Sequence, residues 1–410
     1  MTLKITNALL PHHSHLWDIT ITNGIITDLS PAPTAPTPHT INAQGKLVIP
    51  GLVDAHFHLD KALLLDRYPA QTGTFAEALQ ETSRLKQAFT AADIQSRARR
   101  AIENAIGFGI TAMRSHVEVD ATVGLTGLEA LLPLRSQYEW GITLQLAVFA
   151  QEGITNQPGT EALLRQAMAM GGDVIGSAPY VDPDPEKNIC TIFEIAEEFN
   201  CDVDFHLDYL DNDEPLLLPF VIAETLKRGW QGRVCLGHMT KLAGVPPTEL
   251  ESIAAQICEA SISVLALPAS DLYMMARRDT HNIRRGVAPV HRLVNFGITA
   301  GFATNNVQNL FTPFGDGDVL KICTLLAQVL QLGTIAQHQR CLEMATTLAA
   351  KAIGIAHHQI AVGSAADLVI LEAASVSEAI GAAPAGRTVI KNGKVVAQSK
   401  LERQWCKSEA

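Results

Sequence analysis

No stretch of eighteen apolar residues occurs in the 410-residue chain, so no segment reads as a membrane-spanning helix. The start, Met1-Thr2-Leu3-Lys4-Ile5-Thr6, lacks the charged region and apolar core of a secretory signal. Basic residues are scarce: 31 Lys and Arg against 42 Asp and Glu leave a net charge of −11. That balance argues against broad nucleic-acid binding, which needs a basic surface. The seven cysteines are odd in number and not closely spaced, which excludes a disulfide framework. A reducing cytoplasm is the expected compartment. Also missing are His-Glu-x-x-His, the phosphate-binding Gly-x-x-x-x-Gly-Lys and Gly-x-Gly-x-x-Gly. His116-Val117-Glu118 matches half of the small zinc-deaminase signature, but no Pro-Cys-x-x-Cys follows it.

What is present is an ordinary soluble composition, 47% apolar, on a chain long enough for one large barrel and a small accessory domain. Near the start, Asp18 to Thr22 alternates and Asn23-Gly24 marks a tight hairpin, with Ile25 and Ile26 resuming the strand. Pro31, Pro33, Pro36 and Pro38 make a loop that can be neither helix nor central strand. Near the end, Val369-Ile370-Leu371 and Thr388-Val389-Ile390 are strand-like, and Asn392-Gly393 is a second hairpin signal. Neither end can bury a good core alone; together they can form one small β-sandwich.

Between the ends, strand-like segments fall near 47–55, 109–118, 142–150, 173–178, 201–207, 233–238, 261–267 and 297–304. Helical stretches separate them over 74–88, 127–134, 160–170, 188–198, 215–227, 247–260 and 290–295. Parallel strands need such crossovers, so the expected fold is α/β, a TIM (β/α)8 barrel. The expected division is 1–48 plus 362–405 for the composite β-sandwich and 49–361 for the barrel.

The polar residues sit where a barrel places its chemistry. An apolar run from Leu47 to Val53 leads into Asp54-Ala55-His56-Phe57-His58. On a strand, residues two apart share a face, so two imidazoles can hold one metal ion. Neutral imidazole suits zinc, iron or nickel. Cys201 to His206 and Arg233 to His238 each end in a histidine, and Gly297 to Asn306 ends in Asn305-Asn306. Catalytic groups of such barrels gather at the C-terminal ends of strands.

These motifs resemble the amidohydrolase superfamily and, within it, the cytosine deaminase-like group that includes N-isopropylammelide amidohydrolase. The resemblance runs from Pro50-Gly51-Leu52-Val53-Asp54-Ala55-His56-Phe57-His58-Leu59-Asp60-Lys61 through Arg114 to Asp120 and Ala150-Gln151-Glu152-Gly153. It continues with His206, Gly237-His238-Met239-Thr240, Thr312 to Asp318, Val362 to Leu371 and Ile390 to Val396. It implies the barrel and the composite terminal domain. It also implies metal-dependent hydrolysis of a C–N bond, a deamination, in a small nitrogen heterocycle.

By the resemblance His56, His58 and His206 hold one divalent ion, zinc or iron, and His238 and Asn305 occupy catalytic positions. Gln151, His116, Lys61, Asp208, Tyr209 and Asn306 are the expected substrate-binding residues. A primary amide at Gln151 offers a donor and an acceptor to a ring carbonyl beside a ring N–H. Asp60 is the expected partner that orients His58.

Two positions depart from the family. Its strand-eight aspartate, which accepts the proton from water, is Asn305 here, and an amide takes no proton at neutral pH. Its glutamate three residues after the fifth-strand histidine is Tyr209 here; Asp208, Asp211 and Glu118 are the nearby carboxylates. Three neutral imidazoles on a dication leave a net +2 centre, which acidifies its water more strongly than a carboxylate-bearing one. The alternative is a degenerate homologue that binds a heterocycle with little or no catalysis. No nucleic-acid or membrane partner is expected. A homo-oligomer is compatible with the sequence, which does not set the number of subunits.

Overall fold

The apolar run from Leu47 to Phe57 is two strands, not one. Leu47–Pro50 pairs with Leu368–Leu371 in a sheet built from both termini, whereas Leu52–Phe57 opens the barrel. The expected strand over 47–55 breaks at Gly51, whose N–H donates to the Asp367 carbonyl. A Cβ on Gly51 would lie 2.0 Å from Thr111 Oγ1, so the two sheets can be joined this closely only through glycine. The computed structural model describes residues 2–33, 39–209, 212 and 214–406; Pro36, Pro38 and Asp211 lie outside them.

Eight parallel strands form the barrel: Leu52–Phe57, Ile110–Glu118, Thr143–Ala150, Val174–Ser177, Asp202–Leu207, Val234–His238, Ser263–Ala266 and Ala300–Phe302. Each pairs with the next in chain order. Ile110–Glu118 is buried along its whole length, as expected for a strand covered by helices outside and side chains inside. An isolated parallel bridge between Phe57 and Asn305 brings the eighth strand back to the first.

The terminal sheet runs, from edge to edge, through 394–399, 387–391, 368–371, 47–50, 2–9, 16–22 and 25–31, with 40–42 beside 2–9. Its core is Ile5, Ile19, Ile21, Ile26, Val48, Leu368 and Ile390. Both hairpin signals form: Asn23 and Gly24 have φ of 51° and 84°, and Asn392 and Gly393 have 49° and 71°. Two consecutive left-handed residues match strand twist, which is why Asn-Gly is favoured there. This is the small β-domain expected from the two ends.

The expected helices are present, with ends shifted by a few residues. Among the described residues six more accompany them: Ala91–Gly107, Pro268–Met274, Val319–Val329, Ile335–Met344, Thr347–Ala352 and Val376–Ala382. Ala91–Gly107 carries a regular buried stripe, Ile94, Ala98, Ala101, Ile102, Ala105 and Ile106, and Thr90 caps it by accepting the Asp93 N–H. Phe75–Lys86, capped by Thr74, carries residues of both of its ends toward the mouth of the barrel. Among the described residues no helix is long and apolar enough to cross a membrane.

Candidate active site

The site grows from the C-terminal ends of the strands. Nε2 of His206 lies 3.1 Å from Nε2 of His56 and 3.3 Å from Nε2 of His58. Gly237 makes this approach feasible, since a Cβ there would be 2.9 Å from His56 Cε1. His238 brings a ring nitrogen within 4.8 Å of those of His56 and His206. All four histidines are buried. Burial, reinforced by neighbouring positive groups, holds the pKa of His56, His58 and His206 well below the usual imidazole value. The rings are therefore neutral and can act as ligands.

The donor set fits a metal ion. Tetrahedral ligands about 2.0–2.1 Å from a zinc ion stand about 3.3–3.4 Å apart, close to the separations of His206 Nε2 from His56 and from His58. Two like lone pairs facing each other this closely need a proton or a cation between them. A second possible donor group, His56, His116 and Asp204, lies beneath. His116 stacks on His56 with ring centroids 3.8 Å apart, and its Nε2 is 3.0 Å from Asp204 Oδ1, off the line of a hydrogen bond. Arg114 Nη1 donates to Asp204 Oδ2 at 2.8 Å, so that carboxylate already faces a cation. The third group, Glu118, Asp120 and Glu152, surrounds the Lys86 ammonium at 2.5–2.6 Å. Burial alone would depress the Lys86 pKa; the three carboxylates overcome it and keep Lys86 charged.

A narrow cavity of about 20 Å³ opens above the histidines. Of the expected residues, His58, His206, His238, Asn305, Lys61, Gln151, Tyr209 and Asn306 line it. Phe75, Tyr180 and Phe311 add aromatic walls. Larger clefts lie elsewhere, but none contains these histidines. His56 and His116 sit below the floor. Asp208 is outside the lining; its carboxylate accepts the N–H groups of Leu217 and Leu218 at 2.9 and 3.2 Å.

Asp60 does not orient His58. Its Oδ2 accepts the Glu118 N–H at 2.9 Å, and His58 Nδ1 has no hydrogen-bond partner. His238 is oriented instead by Asp271, a residue not foreseen from sequence. His238 Nδ1 is 2.7 Å from Asp271 Oδ1, and Asp271 Oδ2 accepts the Leu267 N–H at 2.9 Å. The available signal was an aspartate one turn after the seventh strand. Lys61 Nζ reaches Glu118 Oε2 at 3.1 Å and lies 5.1 Å from the centre of the Phe149 ring. Gln151 bonds Tyr180, whose hydroxyl pKa burial raises. The Tyr209 ring lies 4.0 Å from that of His238.

His238, Asn305 and Asp208 all have left-handed backbones, with φ of 70°, 66° and 46°. Such conformations cost of order 1–3 kcal/mol each and cluster where function demands a particular side-chain direction. Asn305 lines the cavity and meets the His58 ring, although its buried Oδ1 makes no well-aligned hydrogen bond.

Comparison with known proteins agrees with this geometry. The amidohydrolase family matches residues 39–397, and the chain belongs to that family of hydrolases acting on carbon–nitrogen bonds. It is 27% identical over 413 residues to N-isopropylammelide isopropyl amidohydrolase of Pseudomonas sp. (strain ADP), covering 97% of this chain and 98% of that protein. It is 27% identical to pterin deaminase of Rhizobium rhizogenes, covering 93% and 88%. The structure of 5-methylcytosine deaminase from Klebsiella pneumoniae liganded with 5-fluorocytosine superposes with a TM-score of 0.93 at 28% identity, covering 98% and 99%.

Proposed function

We propose that this chain uses a single divalent ion, zinc or iron, to hydrolyse an exocyclic C–N bond of a small nitrogen heterocycle with release of ammonia. The approach of His206 Nε2 to His56 Nε2 at 3.1 Å and to His58 Nε2 at 3.3 Å carries the reading. These three would hold the ion, whose chemistry there is to acidify water and polarise the ring carbon. The similarity to a pterin deaminase and to a 5-methylcytosine deaminase supports a heterocyclic substrate.

This chain's own residues do the rest. Phe75, Tyr180, Tyr209 and Phe311 line the narrow cavity and would stack on a flat ring once the walls part to admit it. Gln151 and Asn306 offer amide donors and acceptors to the ring edge, and Lys61 adds a charged donor. His238, held by Asp271, takes a proton at Nε2 and returns it to the leaving nitrogen. His116 supports His56 from below instead of touching the ring. All seven cysteines are free, which suits action in the cytoplasm.

The test is ammonia release from pyrimidines, triazines and pterins by zinc-loaded protein, with metal content measured in parallel. A second reading is favoured by the neutral amide of Asn305 and by Tyr209: the chain binds a heterocycle without turning it over. Tight binding of a heterocycle with no ammonia from any of the panel would select it.

A further inference from the structure

The cavity contains a C–N bond of the protein itself. The Asn305 side chain lines it beside His58, His206 and His238 and is 2% exposed. Its side chain meets the His58 ring, but its buried Oδ1 makes no well-aligned hydrogen bond. The barrel does not need the side chain: it is the Asn305 backbone that closes the seam, through its N–H to His56 and its carbonyl to His58. A carboxamide held against the His58 ring therefore faces a site built to cleave bonds of its own type.

We propose that the site hydrolyses the Asn305 carboxamide, so that the mature chain carries aspartate at position 305. This rests on the functional reading above, because the same water and the same base serve both reactions. The oxygen of water bonds to Cγ and the Cγ–Nδ2 bond breaks. One water proton passes through His238 Nε2 to Nδ2. The other leaves the new carboxyl group, and ammonium departs. Amide and water become carboxylate and ammonium, with no further reactant. The usual alternative is attack on Cγ by the next backbone nitrogen. That nitrogen, of Asn306, donates its N–H to the Thr304 carbonyl at 3.1 Å. Plain aspartate, without isoaspartate, is the product to expect. A carboxylate beside three neutral imidazoles also strengthens the hold on a cation, which favours conversion in loaded protein.

The experiment is peptide mass mapping of full-length protein purified in chelator, then incubated with zinc in water enriched in oxygen-18. The peptide containing position 305 should exchange NH2 for OH and take up one heavy oxygen. The same peptide should be unchanged in chelator and in a folded His238→Ala chain. An amide that survives incubation of the parent protein overturns the proposal, whatever the heterocycles show. Equal conversion at Asn306 and Asn309, or isoaspartate as the main product, overturns it as well. Heterocycle turnover by a chain that keeps its amide leaves the functional reading standing. Conversion without heterocycle turnover supports the proposal, leaves the metal-activated water on which it rests standing and removes only the heterocycles of the panel as substrates.

Discussion

The backbone N–H of Asn305 donates to the carbonyl of His56 at 2.8 Å, and the His58 N–H donates to the Asn305 carbonyl at 3.0 Å. The closing seam of the barrel therefore passes through the residues that build the site. Side-chain chemistry at position 305 can change while the backbone pairing stays, which makes this position open to direct test.

Asn305→Asp supplies a proton acceptor from the outset. Freshly purified variant should release ammonia from a cytosine-like substrate about 10²–10⁴-fold faster than parent protein kept in chelator until assay. Initial rates of both on the same heterocycle check this. An equal or lower rate would show that the amide serves a different substrate.

Asp271→Asn leaves His238 in place but weakens the hold on its Nδ1. The expected outcome is a loss of kcat of about 10–100-fold with KM little changed. A merely structural role for Asp271 would lower the melting temperature without this split between kcat and KM.

Zinc should stabilise the chain. Ligand at a hundredfold excess over Kd contributes about 2.7 kcal/mol, enough to raise the melting temperature by several degrees. His206→Ala should abolish the zinc-dependent shift, as should chelator. A shift of the same size in that variant would place the bound ion elsewhere.

Glu118 predicts a pH dependence. Burial raises its pKa, but Lys61 and Lys86 outweigh burial and lower it from 4.5 to about 2. A carboxylate with a depressed folded pKa stabilises above its unfolded pKa, and the contribution is lost as pH falls through the folded one. The contribution is about 3 kcal/mol, fully present above about pH 4.5 and gone near pH 2. Urea denaturation should show the stability gap between parent and Glu118→Gln shrinking across that window. A constant gap would mean that Glu118 is not ionised against the two lysines.

Much of this arrangement was legible in the order of residues. Alternation and apolar runs mark strands because side chains in a strand repeat every two residues, and Asn-Gly marks hairpins because both residues accept left-handed backbones. Histidines that end three apolar segments fall at one end of a parallel barrel for the same local reason. The helix Ala91–Gly107 was readable too, from its buried stripe and its Thr90 cap, although the expected set of helices omits it.

Other features depend on contacts between residues distant in sequence, which local periodicity does not encode. Lys86 meets Glu118, Asp120 and Glu152 because the helix Phe75–Lys86 folds over the barrel mouth. Asp271 reaches His238 across neighbouring strand ends, and His116 is turned down against Asp204. Asp208 is turned onto the helix that follows it, out of the cavity. By itself the sequence determined the elements, the two-ended β-domain and which residue types reach the barrel's C-terminal end. Only the tertiary structure decided which of those side chains face the cavity and which face each other, because barrel closure and helix docking set those directions from outside each segment.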